Sequence, residues 1–355
     1  MSNRKQPNSN HANPDHTNHD RIAAWIPGAG MRQLFLTLLL FAAMSAVSLA
    51  QGRYTVSRPI PAPVRPAPIE EEKQEYVPQH ALPVLWETDY KYARLRAESS
   101  ARKLLIYLYA DGGQELPESL ADAPVVPACR KFDIEILDDV FVRDGLDEYV
   151  LLKLPMDAKI TGEDGTEQPI LSQPGFEHMI EHPGLVVIDY AHRDAPYYGE
   201  VVGILPFLRG ECPTAKNTAT FLNLPPGTVT QRTLMYAVRI HPDKPLSTDG
   251  KPAPIVMQLA SEHALFQAER GILGHHNFGA RSHQAQEVLG DGTPAEICAQ
   301  SRSGVGLFEG AIACMRAWRY SPAHWSIARR THTYYGYDMV LGKNGAWYAV
   351  GFFIN

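Results

Sequence analysis

The pattern of hydrophobic and polar positions divides this chain after residue 50 into three parts. Residues 51–83 are rich in proline and carry almost nothing to bury, whereas residues 84–224 and 225–355 repeat short apolar runs between polar stretches. Short apolar runs bounded by turn residues are typical of buried strands, and apolar positions at helical spacing are typical of helices. The pattern predicts an α/β protein in which an extended, solvated spacer precedes two folded domains.

The first predicted domain, residues 84–224, shows strand and helix patterns in turn. Predicted strands are 104–109, 150–154, 185–190 and 201–205, and predicted helices are 90–101, 130–140 and 176–180. Strands that alternate with helices favour a layered fold in which helices pack on a sheet. The stretch Asn-Leu-Pro-Pro-Gly at 223–227 would break a continuing helix and marks the boundary to the second domain.

The second predicted domain, residues 225–355, contains three predicted helices followed by a hairpin. The helices are 230–241, a second that begins at Pro254 and ends within 271–274, and 308–318. Proline is tolerated at the first position of a helix, and glycine is typical just past its end. Alternating aromatic positions on both sides of Asn344-Gly345 predict the hairpin, because Asn-Gly is typical of tight hairpin turns.

The chain before the spacer has the pattern of a secretory signal. Residues 31–50 combine a basic start, an apolar run and an end of small residues. The apolar run is shorter than the roughly 20 residues of a spanning helix, so a membrane anchor is disfavoured. Residues 1–30 are interpreted as a disordered leader or as an extension upstream of a true start at Met31. We therefore expect cleavage after Ala50, a secreted or periplasmic protein, and no stable membrane span.

Composition and charge exclude one class of partner. The chain of 355 residues is long enough for two cores, and its hydrophobic fraction of 45% is normal for globular protein. The formal net charge of -6 gives no basic footprint, so we expect neither DNA nor RNA as a partner. Export would place the cysteines where disulfides persist. Cys298 and Cys314 then either pair or are two free buried thiols.

The order of elements in the first domain resembles the thioredoxin-like fold. The run Lys-Leu-Leu-Ile-Tyr at 103–107 matches its central strand, and Pro183 occupies the place of its cis-proline. Where redox members carry Cys-x-x-Cys, this chain has Val-Pro-Ala-Cys at 126–129. A dithiol cycle needs a second sulfur, so the resemblance implies a domain without cyclic redox chemistry. Cys129 is either a buried small hydrophobe or a thiol of lowered pKa that reacts once or pairs with Cys212.

Three fragments of the second domain resemble the motifs of the CAP domain, the SCP-like extracellular domain. They are Gly-His-His-Asn at 274–277, Ala-Glu-Ile-Cys at 295–298 and Trp-Arg-Tyr-Ser-Pro-Ala-His at 318–324. Family members have Gly-x-x-x-His at the end of a helix, then Gly-Glu-Asn-Ile, and in bacteria Trp-x-x-Ser-Pro-Gly-His-Arg. The resemblance covers residues 225–355 and implies an α/β/α sandwich whose terminal hairpin forms the floor of a cavity.

The CAP resemblance also implies a set of cavity residues. They are one histidine of the doublet His275 and His276, together with Glu296 and His324. Positions that depart from the family pattern are Ala295, Cys298 and Trp325. The second glutamate of eukaryotic members has no secure counterpart in this chain.

Each cavity residue also has a simpler interpretation. A histidine that follows a helix can cap its C-terminus, where the helix dipole favours it, and a single glutamate is usually a surface charge. However, the apolar neighbours of Glu296 indicate partial burial, and a buried carboxylate needs a partner. Two imidazoles and one carboxylate match a zinc site with one open position.

Three functions follow from these residues. In the first, the cavity residues hold a divalent metal ion, with Zn²⁺ as the candidate, or recognise an envelope ligand or protein. In the second, the metal activates water and Glu296 acts as the catalytic base of a hydrolase. In the third, Cys129 is a redox or sensing thiol. The binding module is the preferred hypothesis.

Overall fold

A computed structural model describes residues 83–112, 125–162, 165–180 and 182–355. These residues belong to one compact unit. The predicted leader, the predicted signal and nearly all of the spacer lie outside the described residues, so those expectations stay predictions. Within the part of the chain that the structure describes, no helix is both long and apolar enough to cross a membrane.

The fold is mixed α/β, with helices packed against two four-stranded sheets. The helices are α1 (Tyr90–Ser100), α2 (Val125–Lys131), α3 (Val140–Leu146), α4 (Ala215–Leu222), α5 (Val229–Arg239), α6 (Pro254–Arg270), α7 (Phe278–Leu289), α8 (Leu307–Tyr320) and α9 (Pro322–Ala328). The strands are β1 (Lys103–Tyr109), β2 (Tyr149–Pro155), β3 (Lys159–Thr161), β4 (Glu167–Pro169), β5 (Gly184–Ile188), β6 (Val201–Pro206), β7 (Lys251–Pro252), β8 (Pro294–Gln300), β9 (Tyr334–Leu341) and β10 (Trp347–Ile354). β3 and β4 form a separate two-stranded pair.

The first sheet has the order β2-β1-β5-β6. β1 pairs in parallel with β2 and antiparallel with β5, and β6 runs antiparallel to β5. The inner residues of β1, from Leu104 to Leu108, are all buried, as expected for a central strand covered on both faces. The predicted strands of this segment are therefore present as β1, β2, β5 and β6, although Lys153 interrupts the apolar run of β2 and β5 ends at Ile188 rather than at 190.

The predicted helix 130–140 is not continuous. α2 ends at Lys131, a π-helical turn covers Phe132–Ile136, and α3 starts as a separate helix. Asp139 begins α3, because its side chain accepts hydrogen bonds from the N–H groups of Phe141 and Val142. An aspartate that caps a new helix competes with continuation of the previous one.

The second sheet has the order β7-β9-β10-β8. β10 is antiparallel to both neighbours, and the short β7 pairs in parallel with β9. The predicted hairpin is confirmed as β9 and β10, with Gly345 in its turn at φ 74°. β8 forms the edge of this sheet and carries Glu296.

Helix α6 lies directly on the second sheet. A Cβ atom at Gly336 of β9 would lie 2.5 Å from backbone atoms of Val256 and Met257, so only glycine allows this approach. The helix ends as predicted, at Gly271, which adopts a left-handed φ of 66°. This close contact fixes the position of the helix that leads to the histidine doublet.

The two sheets share buried side chains across the predicted domain boundary. Tyr236 on α5 contacts Phe221 of α4 and Phe308 of α8, with ring centroids 6.0 and 5.8 Å apart. These aromatic residues belong to one continuous apolar cluster. The boundary at 223–227 therefore separates the two sheets along the sequence, while their apolar side chains pack together.

Candidate metal centre

A buried carboxylate lies at the centre of a polar group that we call the Glu296 cluster. Its members are His263, His275, Arg281, Glu296, Cys298 and His324. Side chains alternate between the faces of a strand, so Glu296 and Cys298 share one face of β8. Ile297 points to the other face, where it joins the larger apolar core. The strand thus places a carboxylate and a thiol side by side.

Arg281 engages one oxygen of this carboxylate. Its Nε and Nη2 atoms donate hydrogen bonds to Glu296 Oε2 at 3.0 and 2.6 Å. Its Nη1 atom donates to the backbone carbonyl of His276 at 2.5 Å. The Glu296 side chain is only 1% exposed. A carboxylate buried to this extent requires a paired cation, and Arg281 supplies it.

The other carboxylate oxygen faces His275. The Nδ1 atom of His275 lies 2.9 Å from Glu296 Oε1. Because a carboxylate accepts hydrogen bonds, this contact keeps the proton on Nδ1 and leaves the lone pair of Nε2 directed outward. That Nε2 atom lies 3.4 Å from Nε2 of His324. The structure therefore brings together three of the predicted cavity residues.

His324 reaches this position through helix α9. The sequence pattern predicts a third helix over 308–318, but α8 continues to Tyr320 and α9 follows at once, with Pro322 in its first turn. Burial lowers the pKa of His324, and the neighbouring His275 lowers it further. This shift favours the neutral imidazole, which is the form that binds metal ions.

His276 is oriented differently from His275. Its ring contacts Phe266 and His263, with centroids 5.7 and 6.5 Å apart, and its backbone carbonyl accepts a hydrogen bond from Arg281. Asn277 follows in a left-handed conformation at φ 57° and starts the turn into α7. Among the described contacts, the imidazole of the doublet that meets the carboxylate is therefore that of His275.

Sequence reasoning missed the inner side of the cluster. His263 Nε2 lies 3.7 Å from Glu296 Oε1 and 2.8 Å from the carbonyl oxygen of Gly274. Cys298 Sγ lies 3.7 Å from both Glu296 Oε1 and His275 Nδ1. Donor atoms of His263, Glu296 and Cys298 lie within 4.8 Å of one another, so these residues could hold a metal ion. The sequence does contain one indication of this inner side. His263 lies within the apolar stripe of α6, and a buried imidazole needs a hydrogen-bonding partner.

Burial also sets the protonation of the inner groups. It lowers the pKa of His263, and the nearby Glu296 partly opposes that shift. It raises the pKa of the Cys298 thiol well above its usual range, and Glu296 adds to the increase. Without a metal ion, the inner side therefore holds a neutral imidazole and a neutral thiol beside the Arg281–Glu296 pair.

Cys129, the candidate redox residue, lies in different surroundings. It lies in the second turn of α2 rather than at a helix start, and it is 2% exposed. Its Sγ accepts a hydrogen bond from the Ala110 N–H at 3.4 Å. Burial raises the pKa of this thiol, which is the opposite of activation. All four cysteines are free, so neither the Cys129–Cys212 pair nor the Cys298–Cys314 pair is formed.

Comparisons with protein-family models, with curated proteins and with solved structures find no match. The chemistry of the Glu296 cluster is therefore inferred from its donor atoms, their distances and their burial. Two imidazole nitrogens face each other on the outer side, and a carboxylate with a third imidazole and a thiol lies beneath them.

Proposed function

We propose that this protein is an exported binding module in which His275 and His324 hold a divalent metal ion, with zinc as the expected ion. The observation that carries the proposal is the distance of 3.4 Å between their Nε2 atoms. Two nitrogen ligands at about 2.0–2.1 Å from a tetrahedral zinc ion are about 3.3 Å apart. The two imidazoles therefore already have the spacing of zinc ligands.

Glu296 supports this outer metal position from behind. A metal-binding histidine commonly donates its second ring N–H to a carboxylate, which fixes the tautomer and makes the ligand more basic. Glu296 has that relation to His275, at 2.9 Å from Nδ1, and Arg281 holds the carboxylate in place. Glu296 is thus a positioning residue for the outer ion.

Two protein ligands leave the other coordination positions of the ion open. The His275 side chain is 46% exposed, so an external ligand can approach from solvent. Zinc accepts oxygen and nitrogen ligands and polarises carbonyl groups that bind to it. We therefore expect an envelope ligand or protein that binds through an oxygen or nitrogen atom.

A metal-dependent hydrolase is the second function that this site could serve. In that mechanism Glu296 would act as the base toward metal-bound water. Its side chain is 1% exposed, and both of its oxygens already accept hydrogen bonds from His275 and Arg281. The geometry therefore favours binding over hydrolysis with Glu296 as the base.

The two family resemblances complete the proposal. The strand order β2-β1-β5-β6, a parallel pair followed by antiparallel strands, supports a thioredoxin-like first domain that lacks the dithiol. The convergence of side chains from three separate motifs supports a divergent CAP-like second domain. The predicted signal supports a secreted or periplasmic location.

Zinc titration by calorimetry on the purified full chain tests the proposed function. We expect His275→Ala and His324→Ala each to weaken zinc binding at the outer position by at least about tenfold, because each removes an imidazole ligand. His276→Ala is the matched control, since this neighbouring imidazole contacts Phe266 rather than the carboxylate. Its zinc affinity should equal that of the wild type.

Unchanged zinc affinity in both His275→Ala and His324→Ala, with an intact fold by circular dichroism, would contradict the proposal. The hydrolase is tested separately with a library of peptide and cell-wall substrates. Turnover that Glu296→Gln abolishes, while zinc remains bound, would favour the enzyme over the binding module.

A further inference from the structure

We infer that a second metal position lies beneath the paired imidazoles, formed by Cys298 Sγ, His263 Nε2 and Glu296 Oε1, and that it takes a thiophilic divalent ion. Zinc, cadmium and cobalt are ions of this class. The inference deepens the proposed function, because the outer and inner positions share Glu296. It adds two residues, His263 and Cys298, that the outer position does not use.

The inner donor atoms are close to ligand spacing. Cys298 Sγ and His263 Nε2 each lie 3.7 Å from Glu296 Oε1. Ligands on a tetrahedral zinc ion, with Zn–S about 2.3 Å and Zn–N or Zn–O about 2.0–2.2 Å, are separated by about 3.3–3.6 Å. All three donor atoms lie within 4.8 Å of one another, so side-chain movements that shorten these separations would bring them onto a common ion.

An unpartnered amide group points to a charged sulfur at this position. Gln267 is completely buried, and its Oε1 accepts a hydrogen bond from the Gly274 N–H at 3.0 Å. Within the described part of the chain its Nε2 has no hydrogen-bond partner, although the amide lies next to Cys298. A neutral thiol is a weak acceptor, whereas a metal-bound thiolate accepts N–H donors well. The Gln267 amide therefore gains its missing partner when the sulfur is ionised.

Binding at the inner position requires two proton movements. Cys298 releases its thiol proton to solvent as the sulfur–metal bond forms. His263 moves its ring proton from Nε2 to Nδ1, and its ring turns so that the Nε2 lone pair points to the ion instead of the Gly274 carbonyl, which loses the hydrogen bond it now accepts. The divalent ion and the thiolate together add one positive charge, because Arg281 already balances Glu296.

The donor set determines which ions this position accepts. Thiolate and imidazole ligands favour zinc, cadmium and cobalt, whereas magnesium and calcium prefer sites made of oxygen atoms alone. The thiol must lose its proton within a buried environment, so only an ion with a strong affinity for sulfur offsets that cost. The inner position should therefore be selective for thiophilic ions. The outer position has two imidazole ligands and no sulfur, so its selectivity should be lower.

A cobalt titration of the full chain, followed by absorption spectroscopy, tests the inner position. An ion bound to thiolate produces a sulfur-to-cobalt charge-transfer band in the near ultraviolet. We expect this band in the wild type and its loss in Cys298→Ser. Cys314→Ser is the matched control, because Cys314 is also a buried free thiol but its sulfur contacts the Trp347 carbonyl. It should retain the full band.

His324→Ala separates the two metal positions. The charge-transfer band should survive in this variant while zinc binding at the outer position is weakened. A band that persists in both Cys298→Ser and Cys298→Ala, or its absence in folded wild-type protein, overturns the inner position. Unchanged zinc affinity in His324→Ala, together with a band that depends on Cys298, overturns the outer position and leaves the inner one standing.

Discussion

Two regions of the molecule have buried polar groups beside a four-stranded sheet: the surroundings of Cys129 and the Glu296 cluster. Of these two regions, the Glu296 cluster is the one whose buried groups contact a residue that reaches the surface. Cys129 contacts the backbone of Ala110 and the hydroxyl group of Tyr107, which donates to its carbonyl at 3.2 Å. Glu296 contacts a guanidinium group and an imidazole that is itself half exposed. An external ligand can therefore reach the Glu296 cluster through His275, whereas the thiol of Cys129 is enclosed by its neighbours.

The two regions also differ in how their charges are balanced. Burial raises the pKa of Cys129 and of its neighbour Tyr107, so both stay neutral. The Glu296 cluster keeps an ion pair, which is costly to bury and is not needed for folding as such. The buried ion pair next to partly exposed histidines therefore supports the proposed function, which rests on the 3.4 Å between the Nε2 atoms of His275 and His324.

The largest expected effect is that of Glu296→Ala. Removal of this carboxylate leaves Arg281, whose side chain is 10% exposed, buried without its partner. We expect the free energy of unfolding to fall by about 3–5 kcal/mol, measured by urea denaturation. Glu287→Ala is the control, since its side chain is 63% exposed and pairs with the exposed His283, and it should cost less than about 1 kcal/mol. Equal losses in the two variants would show that the Arg281–Glu296 pair is not a special feature of the second region.

The next effect concerns the scaffold that holds the cluster. Gly336→Ala would force α6 away from β9, because the new Cβ would overlap the backbone at Val256 and Met257. We expect a loss of about 1–3 kcal/mol in unfolding free energy, accompanied by weaker metal binding. Gly279→Ala on α7 meets no atom within 4 Å and should be neutral or slightly stabilising. If Gly336→Ala left metal affinity intact, the position of α6 would not control the site.

Acid should lower the free energy of unfolding, because the buried His263 of the Glu296 cluster resists protonation in the folded protein. Its pKa is lowered in the folded protein, so below about pH 6.5, the ordinary value, the unfolded chain binds a proton that the folded chain excludes. Stability therefore falls as the pH decreases through this window, by up to about 1.4 kcal/mol per pH unit for one proton. Urea denaturation between pH 7 and 5, without added metal, should show a smaller slope in His263→Gln than in the wild type. An identical slope would mean that His263 titrates alike in both states.

The smallest expected effect is a change in thiol reactivity without a change in stability. Of the four free cysteines, Cys212 is partly exposed and the other three are buried. A thiol reagent should therefore modify one cysteine rapidly in native protein, and Cys212→Ser should remove that fast phase. Cys129→Ser should leave it unchanged. A fast phase that depends on Cys129 would restore the redox hypothesis and remove the contrast between the two regions.

The elements that could be predicted from sequence are those with a strong local signal. Apolar runs identified β1, β5 and β6, and Asn-Gly identified the hairpin of β9 and β10. Helix α7 was missed because its sequence is largely polar, with only Arg281 and Ala285 buried. β8 was missed as a strand because Pro294 and Glu296 interrupt its apolar pattern. In both cases tertiary contacts, rather than local periodicity, determine the structure.

In the candidate site, too, residues with a local sequence signal could be predicted and residues held by tertiary contacts could not. His275, Glu296 and His324 were identified because short motifs surround them, and the structure places them in contact. Arg281 and His263 contribute through long-range contacts of α7 and α6, which no local pattern encodes. The sequence could therefore predict the outer side of the site but not the buried side that holds it in place.

Nitrogen-15 NMR of the imidazole rings, recorded before and after addition of zinc, is the most direct test of the outer zinc position. We expect the Nε2 resonances of His275 and His324 to shift to values of metal-bound nitrogen, while Nδ1 of His275 stays protonated against Glu296. The resonances of His276 should not move. Shifts confined to His276, or no shift in either His275 or His324, would show that these two imidazoles do not bind zinc.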